Sequence, residues 1–172
     1  MLTKLTRLFK HRWRGDALRQ QVPSDLLKRL AQEVQHSERQ HSGEIRIVVE
    51  AGLPFSYLWR DDALANILRD RALALFGKLR VWDTEHNNGV LIYLLLAERR
   101  IEIVADRGLN SQVDVGAWQQ LLESMRGAFQ AGNFERGLMQ AVQRVSALLI
   151  THYPLQEGQH NPNELPDAPV MR

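Results

Sequence analysis

The sequence predicts a three-layer α/β/α sandwich around a small mixed β-sheet, with elements in the order α-β-α-β-β-α-α. Three observations carry this. Gly43 opens the run Glu44-Ile-Arg-Ile-Val-Val-Glu50, and Val90 to Ala97 is an unbroken apolar run of strand length. Between them lies a helical stripe of Leu64, Ile67, Leu68, Ala72, Leu75 and Phe76. A strand, a helix and a strand in succession form a βαβ unit with parallel strands, and an apolar strand without alternation suits a central position covered on both faces.

The remaining elements follow in order. Pro23-Ser24-Asp25 starts a helix with Leu26, Leu27, Leu30, Ala31 and Val34 on its apolar face. That helix fades near 36–42, where Glu33, His36, Glu38 and His41 read as a solvated helix end and not as a metal site. His36 and His41 are five apart and do not stack on one face. Ala51 to Arg60 is a loop holding Pro54 and several aromatics, and Asp61-Asp62 precedes the next helix. After Val90–Ala97, Glu98-Arg99 is a tight connection to a third, partly alternating strand, Arg100 to Ala105. Asp114 begins a helix with Trp118, Leu121, Leu122, Met125 and Phe129 inward, and Ala131-Gly132-Asn133 breaks it. Phe134 to Tyr153 is the last helix, and Pro154 stops it. Residues 154–172, with Pro162, Pro166 and Pro169 among polar residues, are expected to be disordered.

The chain thus divides into a basic N-terminal segment (1–21), a folded domain (22–153) and a tail (154–172). With a two-residue hairpin loop, Asp106 falls opposite Leu91 and Gly108 opposite Gly89. The loop 83–88 and the segment 106–110 therefore meet at one end of the sheet. Residues 1–20 hold six basic residues against Asp16, a net +5, which leaves −3 of the total +2 for the rest. Leu2, Leu5, Phe9 and Trp13 recur at helical spacing between Lys10, Arg14 and other cations. That pattern is a candidate surface for an anionic membrane. The chain has no cysteine, which excludes disulfides, thiolate metal sites and cysteine nucleophiles. The first residues have no apolar stretch of signal type and no window is long enough to span a bilayer, so the expected location is cytoplasmic, peripheral to the membrane's inner face at most. Basic residues beyond the N-terminal segment are scattered and balanced by acids, and no nucleic-acid partner is expected.

Several residues together suggest a family. Asn88-Gly89-Val90-Leu91 opens an apolar strand. Glu98-Arg99-Arg100, Ile101-Glu102-Ile103 and Gly108-Leu109 follow, and then Phe129-Gln-Ala-Gly-Asn133-Phe134 with Gly137. This series resembles the TPM domain over about residues 22–153. The resemblance implies a compact α/β/α domain, acid phosphatase activity in a plant member, cation binding in some bacterial members, and roles beside membrane proteins. The chain departs from the family pattern at the loops. Glu85-His86-Asn87-Asn88-Gly89 stands where members carry an Asp-rich loop, and Asp106-Arg107-Gly108-Leu109-Asn110 where they carry Gly-Tyr-Gly-Leu-Glu.

The hairpin base is the first candidate site. Asp83, Glu85, Asn87, Asn88 and Asp106 offer oxygens suited to weak binding of calcium or magnesium, with Ser42 and Glu44 at the same sheet end. Arg107 is a candidate anion-binding residue that also competes for Asp106 or Asp83. As a phosphatase, the same loops would use Asp83 or Asp106 as base, His86 as acid and Arg107 as phosphate clamp. No phosphate-binding loop or nucleophile elbow accompanies them. Phe55, Tyr57, Trp59 and Arg60 form a candidate protein-contact loop. The expected function is a non-catalytic binding or adaptor domain beside a membrane-associated protein partner. A metal-dependent phosphatase and a membrane-surface protein using residues 1–19 are the alternatives.

Overall fold

The computed structural model describes residue 11 and residues 20–172. The candidate membrane-surface residues Leu5, Phe9, Lys10, Trp13 and Arg14 lie outside the described residues. Among those described, the elements are α1 (Ser24–Ser37), β1 (Glu44–Glu50), α2 (Phe55–Leu58), α3 (Leu64–Lys78), β2 (Gly89–Leu95), β3 (Arg100–Ala105), α4 (Arg107–Asn110), α5 (Val115–Gln130), α6 (Phe134–His152) and β4 (Val170–Met171). One four-stranded sheet has the order β3-β2-β1-β4. β1 pairs in parallel with β2 and β4, and β2 pairs antiparallel with β3. No described helix is long and apolar enough to cross a membrane.

The mixed α/β fold is the one expected, and period-two alternation explains its layers. Ile45, Ile47 and Val49 of β1 join Val90, Ile92 and Leu94 of β2 in one cluster, beneath Leu26, Leu30 and Val34 of α1, Met125 and Phe129 of α5, and Leu138, Val142 and Leu149 of α6. Val48, Leu91, Tyr93 and Leu95 face the other way, against Ile67, Leu68, Ala72 and Leu75 of α3 and Leu58 of α2. Both inner strands are buried along their whole length, as the apolar run in β2 demands.

Three expectations are corrected. First, the hairpin loop is not two residues long. A 3₁₀ turn at Leu96–Glu98 and a left-handed Arg99 (φ 51°) connect Leu95 to Arg100, so Val90 pairs with Ala105. Asp106 therefore lies beside Gly89, and its N–H donates to the Gly89 carbonyl at 2.8 Å. The register slips by two residues, which keeps every side chain on its expected face.

Second, the end of α1 is not solvated. His36 is exposed, but Glu38 and His41 are buried. His41 donates from Nδ1 to the Gly43 carbonyl at 3.1 Å and accepts the Ser37 hydroxyl at Nε2, 2.9 Å away. Burial pushes its pKa down to about 4, so the ring is neutral.

Third, the tail is not a disordered appendage. It crosses the free edge of β1 as a strap. Leu165 is buried in the α3-side core, and Val170 and Met171 pair with Val48 and Val49. Asn161 donates to the carbonyls of His41 and Gly43, while the Arg46 guanidinium donates to those of Pro166 and Ala168. The physical reason is the edge itself: without the strap, the outer backbone groups of β1 and the Arg46 side chain would lack partners.

Candidate functional site

The hairpin base is assembled by the backbone. Thr84 Oγ1 accepts the Asn88 N–H at 3.1 Å and turns the loop into β2. Asn87 takes a left-handed conformation (φ 53°), which asparagine tolerates well. Its carbonyl accepts the Gly108 N–H at 2.9 Å, locking loop 83–88 to α4. Gly108 is required by that approach, because a Cβ there would stand 2.5 Å from the Asn87 carbonyl oxygen and 2.8 Å from the Tyr153 hydroxyl. Asp106 caps α4, its Oδ1 accepting the Arg107 N–H at 2.7 Å.

Two side-chain oxygens in this assembly are buried without a hydrogen-bond donor: Asn88 Oδ1 and Asp106 Oδ2. Asn88 is fully buried and its Nδ2 donates to Ser42 Oγ at 3.3 Å. Asp106 is 8% exposed. The Tyr153 hydroxyl lies near enough to Asp106 that this charge, together with burial as the larger cause, raises the phenol's pKa. Orphaned acceptors of this kind cost free energy and mark places where a donor or cation is accommodated. Their neighbours Ser42 and Tyr153 line a cavity of about 660 Å³, with Glu85, His86, His160 and Glu164 also in its wall; Asn88 and Asp106 themselves do not line it.

The remaining predicted ligands do not converge. Asp83 is exposed and paired with Arg80 at 2.6 Å. Glu85 is also exposed, and its backbone N–H donates to the Glu164 carboxylate of the strap. Among the described residues, no group of three or more carboxylate, imidazole or thiol side chains is arranged to hold a metal ion. Of the predicted set, Asn88 and Asp106 each keep a buried side-chain oxygen without a donor, and Asn88 also contacts Ser42. Arg107 pairs with neither Asp106 nor Asp83 through its side chain; its Nε donates to Asn87 Oδ1 at 3.0 Å. Sequence reasoning missed Tyr153 and Glu164, which approach from distant parts of the chain and carry no local signal.

Glu44, at the same sheet end, belongs to a different group. It is fully buried, its Oε2 accepts the Leu165 N–H at 3.0 Å, and its Oε1 has no donor. Burial, opposed by backbone hydrogen bonds from the strap and aided by the charges of Glu164 and Asp167, raises its pKa to about 7. Glu38 lies next to it, with Oε1 accepting the Ile45 N–H at 2.9 Å. Burial, with smaller contributions from Glu44 and Asp167, raises the Glu38 pKa to about 9. Glu38 is therefore protonated at neutral pH and shares a side-chain hydrogen bond with Asp167. These groups fasten the strap to β1.

The second predicted site lies at the other end of the sheet. Leu58 is buried and anchors α2, whereas Phe55 and Trp59 are 61% and 56% exposed. Their rings stack with centroids 5.5 Å apart. Arg60 sits over the Tyr57 ring at 4.7 Å and pairs with Asp70.

A mixed sheet of this topology, with helices on both faces, defines an α/β/α domain. The chain belongs to the TPM domain family, whose model matches residues 20–148. Among solved structures it is similar to the BA42 protein of the psychrophilic bacterium Bizionia argentinensis, with 25% identity and a TM-score of 0.73, covering 87% of this chain and 94% of that one. It is also similar in fold to the N-terminal domain of a protein from P. gingivalis, with 21% identity and a TM-score of 0.60 over 78% and 82% of the two chains. No match was found among curated proteins.

Proposed function

We propose that this TPM domain is a binding and adaptor module whose recognition surface is the hairpin base. The observation that carries the reading is the pair of buried, donor-less oxygens, Asn88 Oδ1 and Asp106 Oδ2, whose neighbours Ser42 and Tyr153 line an open cavity. Such oxygens accept a weakly held calcium or magnesium ion, or a donor group presented by a protein partner. A partner associated with a membrane is the class that the family resemblance suggests. The metal-dependent phosphatase alternative draws less support, because Asp83 is engaged by Arg80 and the Arg107 side chain by Asn87.

The test is an amide NMR titration of the full chain with calcium, then magnesium, at low salt. Shifts confined to residues 83–89 and 106–110, saturating in the millimolar range and lost in Asp106→Asn, support the reading. Absence of shifts in the wild-type chain up to that range removes the cation. Hydrolysis of a phosphate ester that disappears in Asp106→Asn would instead establish the enzyme.

A further inference from the structure

The two edges of the sheet are finished differently. At β1 the chain's own tail adds β4, which pairs with Val48 and Val49, and the Arg46 guanidinium donates to the strap's carbonyls. At the other edge, among the described residues, no strand lies beyond β3. The Asp106 N–H donates to the Gly89 carbonyl, which sets the parity of the antiparallel ladder. Glu102 and Val104 turn their backbone groups toward β2, while Ile101 and Ile103 turn theirs outward. Arg69 of α3 agrees with that parity: its guanidinium donates to the Ile103 carbonyl at 2.7 Å and to the Glu102 carboxylate at 3.1 Å. The N–H and carbonyl of Ile101 have no partner among the described residues.

Ile101 lines a recess of about 320 Å³. Ala65 and Leu68 of α3 form one wall, and Leu122, Arg126 and Phe129 of α5 form the other. A fifth strand would run about 4.8 Å outside β3, between these helices. The recess selects the kind of strand. A second copy would present its own β3 from between its own helices, and the helices would keep the two edges apart, whereas a single extended peptide is slim enough to enter. The charges select further. Each acid of the wall is engaged, Glu98 by His11 at 2.8 Å, Glu102 by Arg69 at 3.1 Å and Glu123 by Arg126 at 3.0 Å. Arg99 donates to the Gln130 carbonyl and Arg100 is exposed, and neither forms an ion pair with a described residue. The recess therefore carries two cations without a carboxylate.

We propose that the free edge of β3 is a docking site for an extended, acidic segment of a partner protein, which adds to the sheet as an antiparallel strand at Ile101. Backbone hydrogen bonds give such an addition its affinity, and the side chains of alternate residues give it specificity. The segment's central residue exchanges both hydrogen bonds with Ile101 and lies on the same face, toward Leu122 and Phe129, so it is apolar. The residue after it lies opposite Arg100, on the α3 face, and is the acidic one. Arg69 occupies the Ile103 carbonyl and limits the addition to a short segment, as β4 is short at the other edge. The proposal is independent of the hairpin base, which adjoins the opposite end of β3.

The experiment is an amide NMR titration of the full chain with the blocked peptide acetyl-Thr-Thr-Leu-Glu-Thr-amide. Before peptide is added, the Ile101 N–H should exchange with solvent faster than those of Glu102 and Val104, which face β2. The peptide should shift the amides of Arg100 to Ile103, Leu68 and Leu122, half-saturating at about 1 mM. It should also slow exchange at Ile101. Methylating the peptide's Leu nitrogen removes a ladder donor and should weaken binding about tenfold. Lys in place of its Glu, or Arg100→Gln in the protein, should weaken it about fivefold, and Arg100→Gln should leave the thermal midpoint at the wild-type value. The proposal is overturned if no shifts arise up to about 10 mM peptide, or if the methylated or Lys peptide binds equally well. Protection of Ile101 in the free chain would also overturn it, because the chain itself would then cover the edge. So would concentration-dependent shifts of these amides without peptide, which would show a second copy to be the occupant.

Discussion

Glu44 and Glu50 stand at the two ends of β1, on the same face of the sheet, and both are nearly inaccessible to water. Their surroundings differ. Glu50 receives a bidentate contact from Arg71, at 3.0 and 2.5 Å, and the Tyr93 hydroxyl at 2.7 Å. The Arg71 guanidinium also lies 5.3 Å from the Tyr57 ring centre. Every strong demand of that carboxylate is met by a fixed donor, and burial together with the Glu50 charge raises the Tyr93 pKa so that the phenol stays a donor. Glu44 has backbone donors on one side, an orphaned oxygen on the other, and acidic neighbours. One end of the strand holds a carboxylate locked in an ion pair; the other holds a carboxyl whose charge is conditional on pH. The comparison teaches that an ion pair builds rigid structure at the Glu50 end, while the Glu44 end uses shared protons to hold a segment from far along the chain.

The largest effect is expected from breaking the satisfied end. Arg71→Met leaves a buried carboxylate without its counter-ion and should cost about 3–5 kcal/mol of stability in urea unfolding. The double variant Arg71→Met with Glu50→Gln should recover part of that loss, because no unpaired charge is left inside. A cost for Arg71→Met below about 1 kcal/mol would make the pair equivalent to a surface bridge and would dissolve the contrast.

The next effect probes the strap. Leu165 is 7% exposed, inserted in the α3-side core. Leu165→Ala should cost about 2–3 kcal/mol. A solvated tail would give almost no change, so this measurement bears directly on whether the Glu44 end depends on the strap. Hydrogen exchange at Leu165 and Arg172 should quicken in the variant, since their N–H groups donate to Glu44 and to Val49.

The strap also shows where the sequence was legible. Helix stripes, the parallel pairing of β1 with β2 and the meeting of the 83–88 and 106–110 segments all follow from local periodicity and from connection rules, and the structure has them. Elements whose stability is tertiary were opaque. Residues 154–172 look too polar to fold, yet Leu165 and Val170 reach a core made by other elements, and Arg46 waits for their carbonyls. Glu38 and His41 look like a wet helix end, yet the strap and the loop into β1 cover them. The turn at Arg99 carries no glycine or asparagine, so its left-handed backbone gave no signal, and the register was displaced by two residues. At the candidate site, Asn88 and Asp106 were readable because both adjoin strand ends. That Asp83 turns away to Arg80 was not.

The smallest predicted effect decides most about the conditional end. Glu38 has a folded-state pKa of about 9 against 4.5 for the free group, so the folded chain holds a proton that the unfolded chain releases. Stability from this group is therefore fully present below about pH 4.5 and falls as pH rises toward 9. His41 has the opposite sign: its pKa is lowered from 6.5 to about 4, so its contribution is lost as pH falls through that window. Glu38→Gln keeps an acceptor for the Ile45 N–H and supplies a permanent donor toward Asp167 without the titration. It should raise stability by about 1–2 kcal/mol at pH 8, change it little at pH 5, and leave the acid-side loss from His41 intact. Thermal midpoints of wild type and variant across that range measure the difference. Parallel pH profiles would mean that Glu38 is already ionised at neutrality and that Arg46, not a shared proton, offsets Asp167. A gain confined to alkaline pH would establish that protons fasten the strap, and that the two glutamates of one strand do different work because only one was given an arginine.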